Sequence, residues 1–449
     1  MSGAVADPRA ARVFHFVDCG YDAARGEARL AWRVDDGPEL IERIVFPGAP
    51  EPAGAERRAA FDAALQLLHW LAGVSYWKAG LAPEIRLNRP PPPAIAHFLT
   101  DVYVKGLAEF GFVNDVDVAG RLSVPAGPGE PSEPRRVGLG ETALVALGGG
   151  KDSLVGLELA ARAGLQVRPW CVGESRLIGD TAAAAGLDLL RIGRRLAPEL
   201  KAMNQAGAWN GHVPVTAINS AIGVCAALLY GCRYVVFSNE RSADEATLTG
   251  PGGEAVNHQY SKSSEFEAAF RAVVRSWVAA DLEYFSILRP FSELDIVRRF
   301  TGLERFHGVY SSCNRNFHLD GPVIRGRWCG NCPKCRFAAL SLAVFLPPRR
   351  VRAIMDADLL DDPAQEAGFR ALCGLGAEKP FECVGEVGEC RAALRALSGQ
   401  PEWREHAIVR RLAPALDDVA MPALEDLLQP SSRHGIPPDI AARMEGVPG

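Results

Sequence analysis

A short apolar run that ends in three glycines constrains this chain more than any other feature. Thr142 to Leu147 reads as a buried strand, Gly148, Gly149 and Gly150 follow, and a helical pattern then runs through Leu154, Leu157 and Ala161. Glycines let a backbone approach an anion closely, and the first turn of a helix offers unpaired N–H groups and a positive dipole end. The helix is expected to open near Asp152 or Ser153, with Ser153 capping it or meeting a phosphate oxygen. A tight turn without ligand is the plainer alternative; the place of the loop inside a strand–helix unit favours phosphate.

The surroundings agree with such a unit. Gln166 to Val172 and Asp188 to Ile192 read as further strands, with a helix-like stretch at 177–185 between them. A long helix from about Pro214 to Tyr230 precedes a fourth strand, Arg233 to Phe237. Strands alternating with helices predict an α/β fold with a doubly wound parallel sheet, whose ligands sit beyond the C-terminal strand ends. Before it, Ala28 to Val34 alternates with period two and Leu40 to Phe46 reads as a neighbouring strand. Phe61, Leu65, Leu68 and Ala72 share one helix face, and Ala94 to Phe110 resumes a helical pattern. The Pro- and Gly-rich stretch Val124 to Arg136 is the best linker. Three regions are therefore expected: an N-terminal α+β domain with linker at 1–136, a nucleotide domain at 137–350 and a helical C-terminal region at 351–449.

A second polar segment follows the fourth strand: Ser238-Asn-Glu-Arg-Ser-Ala-Asp-Glu245. Asn239 is placed at the nucleotide, while Glu240, Asp244 and Glu245 offer the hard oxygens that Mg²⁺ prefers, and Arg241 suits a phosphate or a carboxylate. A solvated charged loop is the alternative. Further on, His258, Tyr260 and Lys262 are candidate acid–base groups, ahead of a helix that Ser264 is expected to cap with Glu267 at its third position. His212 is another candidate.

Cys329, Cys332 and Cys335 fall at two-residue intervals, sixteen positions and more after Cys313. Four thiolates in this spacing suit a closed, structural zinc site; an iron–sulfur cluster and metal-free thiols are the alternatives. The chain has eleven Cys, an odd number in 449 residues, which argues for reduced thiols rather than a disulfide framework. No apolar run approaches the ~20 residues of a membrane helix, and Met1 to Phe14 lacks the apolar segment of a signal peptide, so a cytoplasmic protein with no membrane partner is expected. With a net charge of −5 and no basic block, no nucleic-acid partner is expected.

A Walker A loop fails here, because Val145 and Asp152 stand where Gly and Ser or Thr are needed. The glycine loop is instead similar to the PP-loop, SGGxDS, of the N-type ATP pyrophosphatases, with Gly148 in place of Ser and Gly149, Gly150, Asp152 and Ser153 matching. That resemblance implies a fold of the adenine nucleotide alpha hydrolase kind, ATP gripped by residues 148–153, and Lys151 near the leaving pyrophosphate. The cysteine layout resembles the zinc element of the 7-cyano-7-deazaguanine synthases, also PP-loop proteins, which supply the alternative function. Across the whole chain, VALGGGKDSLVGLELA, FSNERSADE, NHQYSKSSEFE and SSCNRNFHL…RWCGNCPKC resemble the UDP-N-acetylmuramoyl-L-alanyl-L-glutamate epimerase family. This implies inversion of the terminal L-glutamate of a UDP-muramoyl-dipeptide in peptidoglycan synthesis, with ATP and Mg²⁺, through an acyl-adenylate. Lys151, Asp152, Arg241 and His258 are the residues placed at the chemistry.

Overall fold

The structure, a computed structural model, describes residues 7–48, 51–128, 135–245, 248–249, 255–316, 326–376, 382 and 384–445. One sheet of nine strands organises it. Four strands come from the N-terminal part: β1 (Val13–Asp22), β2 (Glu27–Val34), β3 (Glu39–Val45) and β4 (Glu84–Leu87). Then come β5 (Gly140–Ala146), β6 (Gln166–Val172), β7 (Leu190–Arg195) and β8 (Cys232–Phe237). A two-stranded ribbon, β9 (Leu248–Thr249) with β10 (Ala255–Val256), stands apart, and β11 (Glu283–Ser286) completes the sheet.

The spatial order is β11-β8-β5-β6-β7-β3-β2-β1-β4. The five strands from β11 to β7 are mutually parallel. The chain starts them at β5, moves outward through β6 and β7, and returns to the other side of β5 for β8 and β11. The direction of winding therefore reverses between β5 and β8, where two connections leave a crevice at the strand ends.

Both faces of this half are covered, so the central stretches 143–145, 169–171 and 234–237 are buried on both sides, while β7 alternates buried Leu190 and Ile192 with half-buried Arg191 and Gly193. Leu144, Trp170 and Val235 point into one buried cluster, with residues of the helices Gly54–Ala72, Val215–Tyr230 and Ser264–Val273. Val145, Cys171 and Val236 point into the other, with the helices Lys151–Arg162, Glu293–Thr301, Pro333–Ala343 and Val387–Ser398.

The strands expected at Ala28–Val34 and Leu40–Phe46 are present as β2 and β3. They do not pack as a sheet of their own: β3 runs antiparallel to β7, with Val45 opposite Gly193, so β1–β4 prolong the parallel sheet. The Ala94–Phe110 stretch breaks into two helices, Pro93–Gly106 and Ala108–Asn114.

Candidate nucleotide-binding site

The glycine loop that follows β5 lies at the reversal point. Its helix begins at Lys151, slightly earlier than expected, and Gly150 occupies the cap position. Gly149 has φ of 77°, a left-handed conformation that a side chain strains, and a Cβ there would stand 3.2 Å from Leu177. Ser153 does not cap the helix. Its hydroxyl accepts from the Gly148 N–H at 3.2 Å and donates to the Gly150 carbonyl at 3.0 Å, which folds the loop around itself. The N–H groups of the first turn remain for an anion.

Lys151 is only 6% exposed. Its ammonium donates to Asp152 at 2.5 Å and to Glu293, the first residue of the Glu293–Thr301 helix. Burial works against the Lys151 charge, but Asp152 and Glu293 outweigh it and hold the ammonium well above its ordinary range. Burial pushes the Glu293 carboxyl well up, against the pull of Lys151, with Asp152, Glu240 and Glu389 adding to the rise. The cation of the loop thus faces two carboxyl groups.

These groups line a cavity of about 290 Å³. Gly148, Gly150, Lys151, Asp152 and Ser153 form its floor, and Ser238, Asn239 and Glu240, leaving β8, form one wall. The two loops meet closely. A Cβ on Gly156 of the helix after the glycine loop would stand 2.1 Å from Ser238 Oγ and 3.2 Å from Ile287, so a larger residue there would displace Ser238. The Oγ of Ser238 and the Oδ1 of Asn219, another lining residue, are buried without a hydrogen-bond partner. Such atoms are costly unless a ligand completes them.

The rest of the second polar segment turns away. A tight turn at Arg241–Asp244 carries Arg241, Asp244 and Glu245 into a separate cleft of about 840 Å³. Asp244 accepts there from the Ser264 N–H at 2.6 Å. The expected oxygen set of Glu240, Asp244 and Glu245 is therefore split; the carboxylates that share the glycine-loop cavity are Asp152, Glu240 and Glu293. Arg289, 2% exposed, fixes this arrangement. It donates to the Glu240 carbonyl at 2.8 Å, to the Lys262 carbonyl at 2.6 Å and to Glu267 at 3.1 and 3.0 Å. Ser263, not Ser264, caps the following helix, through a bond from the Phe266 N–H at 3.1 Å. Glu267 is thereby one position too late for a capping box and is free to hold Arg289.

His258 is buried and does not line the cavity; Lys262 does. His212 Nδ1 lies 3.3 Å from Glu109 Oε2.

The four cysteines converge. Cys313–Cys332, Cys329–Cys335 and Cys332–Cys335 sulfurs are 3.9, 3.8 and 3.5 Å apart. Four sulfurs bound tetrahedrally at ~2.3 Å stand about 3.8 Å from one another, so the residues fit zinc. Backbone N–H groups of Asn331 and Cys335 donate to Cys329 and Cys332, each at 3.4 Å, as suits thiolates. Residues beside the cluster form part of the cavity wall. Ser311 and Ser312 precede Cys313, Lys334 follows Cys332, and Lys334 with Phe337 lies on the helix that Cys332 caps; all four line the cavity. The Ser311 N–H donates to the Gly149 carbonyl at 3.1 Å, joining the cysteine-held segment to the phosphate loop.

Sequence reasoning missed Glu293, Arg289, Ser312 and Lys334. Lys334 carried a signal, since it sits inside the cysteine motif; Glu293 and Arg289 carried none.

Residues 5–287 match the family model of the MurL N-terminal domain, and residues 309–426 match that of the MurL C-terminal domain. The chain belongs to the MurL family. Three relatives are each named UDP-N-acetyl-alpha-D-muramoyl-L-alanyl-L-glutamate epimerase. The protein of Xanthomonas oryzae pv. oryzae is 46% identical over 436 residues, covering 96% of both chains. That of a Micromonospora species is 41% identical over 95% of this chain and 96% of its own. That of Salinispora tropica is 41% identical over 91% of this chain and 89% of its own. No helix among the described residues is long and apolar enough to cross a membrane.

Proposed function

We propose that this MurL-family protein inverts the terminal L-glutamate of UDP-N-acetylmuramoyl-L-alanyl-L-glutamate to D-glutamate, using ATP to adenylate the carboxylate. Family membership at 41–46% identity over nearly the whole chain makes it an epimerase. Its use of ATP, its assignment to the PP-loop superfamily and a cytoplasmic place in peptidoglycan precursor synthesis are our reading. One observation carries the reading: a glycine loop, a buried lysine and a second strand-end loop meet in one cavity where the winding of a parallel sheet reverses.

The chemistry explains why an epimerase needs such a cavity. Taking the α proton from a free glutamate would place a second negative charge beside the carboxylate. Joining that carboxylate to AMP removes its charge and turns the carbonyl into an electron sink, so a side chain can take the proton. In this protein the N–H groups of residues 151–153 and the Lys151 ammonium receive the β and γ phosphates. Asp152, Glu240 and Glu293 are the oxygen donors that would hold Mg²⁺, which when bound would neutralise the triphosphate. Asn219 Oδ1 and Ser238 Oγ are completed by the nucleotide. The four cysteines hold a structural zinc that fixes the Ser311–Ser312 and Lys334–Phe337 walls.

Exchange of labelled pyrophosphate into ATP tests this. It should require both Mg²⁺ and the UDP-muramoyl-dipeptide; exchange that ignores the dipeptide, or its absence from active protein, contradicts adenylation of that substrate.

A further inference from the structure

We propose that His212, oriented by Glu109, is the base that takes the α proton of the activated glutamate. This rests on the adenylation reading above and names the residues that act after it.

The phosphate end of the cavity is already committed. Lys151 is held by Asp152 and Glu293, and the oxygen donors there face the triphosphate. Thr216, Asn219 and Lys262 also line the cavity, and the acyl group is placed against them; His212 is not itself a lining residue and lies beyond them, close enough to feel the charge of Lys262. Thr216 and Asn219 belong to the first turns of the Val215–Tyr230 helix, and His212 lies in the segment that leads into it.

That segment is clamped by the N-terminal region. The Trp209 N–H donates to the Ala79 carbonyl at 2.9 Å, and the Trp209 carbonyl accepts from Lys78 at 3.3 Å. The Asn210 carbonyl accepts from Asn114 at 3.4 Å. Gly106 packs so tightly on Pro214 that a Cβ would stand 2.8 Å from its ring. Glu109, on the Ala108–Asn114 helix, then places its carboxylate 3.3 Å from Nδ1. A carboxylate at this edge would favour the tautomer with its proton on Nδ1, leaving Nε2 as the proton acceptor. The imidazole keeps 31% of its side-chain surface exposed, enough to reach a substrate. Val113 and Val215, close in sequence to the two members of the pair, are two of the few large apolar residues left exposed, at 67% and 45%.

Three groups face His212: Glu109 from its helix, and His258 and Lys262 from the segment before the Ser264–Val273 helix. Burial first, and then the charges of His258 and Lys262, lower the imidazole to about 4, so it is neutral and able to accept a proton near pH 7. Burial raises the Glu109 carboxyl, against the opposing effect of His258.

In the step itself the Cα–H bond breaks, the proton bonds to Nε2 of His212, and the electron pair moves into the acyl-adenylate carbonyl. A proton from water returns to the opposite face of Cα, the pair returns from oxygen to carbon, and His212 loses its proton to solvent. Glu109 is a positioning residue; it touches His212 and not the substrate. The arrangement also gives the N-terminal region a task, since its helices set the base.

The test measures two rates on the same protein: dipeptide-dependent pyrophosphate exchange, and entry of deuterium from D₂O at the glutamate Cα. His212→Gln should keep exchange within about threefold while lowering deuterium entry by at least ~100-fold, the range of a lost general base. Glu109→Gln should lower deuterium entry less, shift its pH profile and leave KM for ATP unchanged, with Glu109→Asp restoring part of the rate. Deuterium entry at the wild-type rate in His212→Gln overturns the proposal, and so does equal loss of both rates, which would mean a structural role. Failure of wild-type exchange would instead overturn the adenylation reading.

Discussion

Replacing Glu389 with Gln is expected to flatten the dependence of folding stability on pH. Glu389 is 1% exposed, on the Val387–Ser398 helix behind the phosphate cavity. One carboxylate oxygen accepts from the Glu386 N–H at 2.9 Å, and the other from the Leu294 N–H, next to Glu293, at 3.3 Å. Burial, and then the charge of Glu386, raise it from 4.5 to about 7, although the two backbone bonds and Arg241 oppose the rise. The folded protein therefore holds a proton that the unfolded chain releases. The stabilisation this brings is complete below pH 4.5 and is lost as pH rises towards 7. The interval is 7 − 4.5 = 2.5 units, which at about 1.4 kcal/mol per unit amounts to about 3 kcal/mol. Gln is neutral throughout. It can still accept from Leu294, but its amide cannot accept from Glu386, a loss of about 1 kcal/mol. Urea unfolding should therefore find Glu389→Gln slightly less stable than wild type near pH ~4.5 and about 2 kcal/mol more stable near pH ~8, with unchanged slopes against urea. A difference of the same sign and size at both pH values would refute the assignment of this titration to Glu389.

Three further outcomes are expected. Asp152→Ala should lower AMP formation by at least ~100-fold while circular dichroism stays native, because the loop loses an oxygen donor and a partner of Lys151; wild-type turnover would remove the loop from the reaction. Cys332→Ser should lose about one zinc per chain and raise KM for ATP, since Ser311, Ser312 and Lys334, beside the cysteines, wall the cavity; a wild-type protein free of metal, or an unchanged KM, would contradict the coupling. Arg289→Met removes one partner of a buried ion pair and should destabilise the fold by about 3–5 kcal/mol; a loss below about 1 kcal/mol would show that the Glu240 and Lys262 loops do not depend on it.

Local order carried the legible part of this protein. The strand, glycines and helix of the phosphate loop follow one another along the chain, as do three of the four cysteines, so spacing alone revealed them. The alternation of strands and helices after residue 137 likewise gave the parallel sheet. What sequence hid was distance. Glu293 meets Lys151 across 142 positions, and a glutamate at the start of a helix is ordinarily read as a favourable partner of the helix dipole. The junction of β3 with β7 is three residues long, with Arg43 opposite Arg195 and Val45 opposite Gly193, and no pattern in either strand announces it. Adjacency also misled: Glu240 and Asp244 look like one carboxylate set until the turn at Arg241 sends them into different clefts.

The most direct test of the account follows the glutamate itself. Protein, Mg·ATP and UDP-N-acetylmuramoyl-L-alanyl-L-glutamate are incubated in D₂O, and the chirality and deuterium content of the recovered glutamate are determined together with AMP. The account predicts D-glutamate bearing deuterium at Cα, formed only when ATP is present and accompanied by AMP. Unlabelled L-glutamate with no AMP, or inversion that proceeds without ATP, would contradict it.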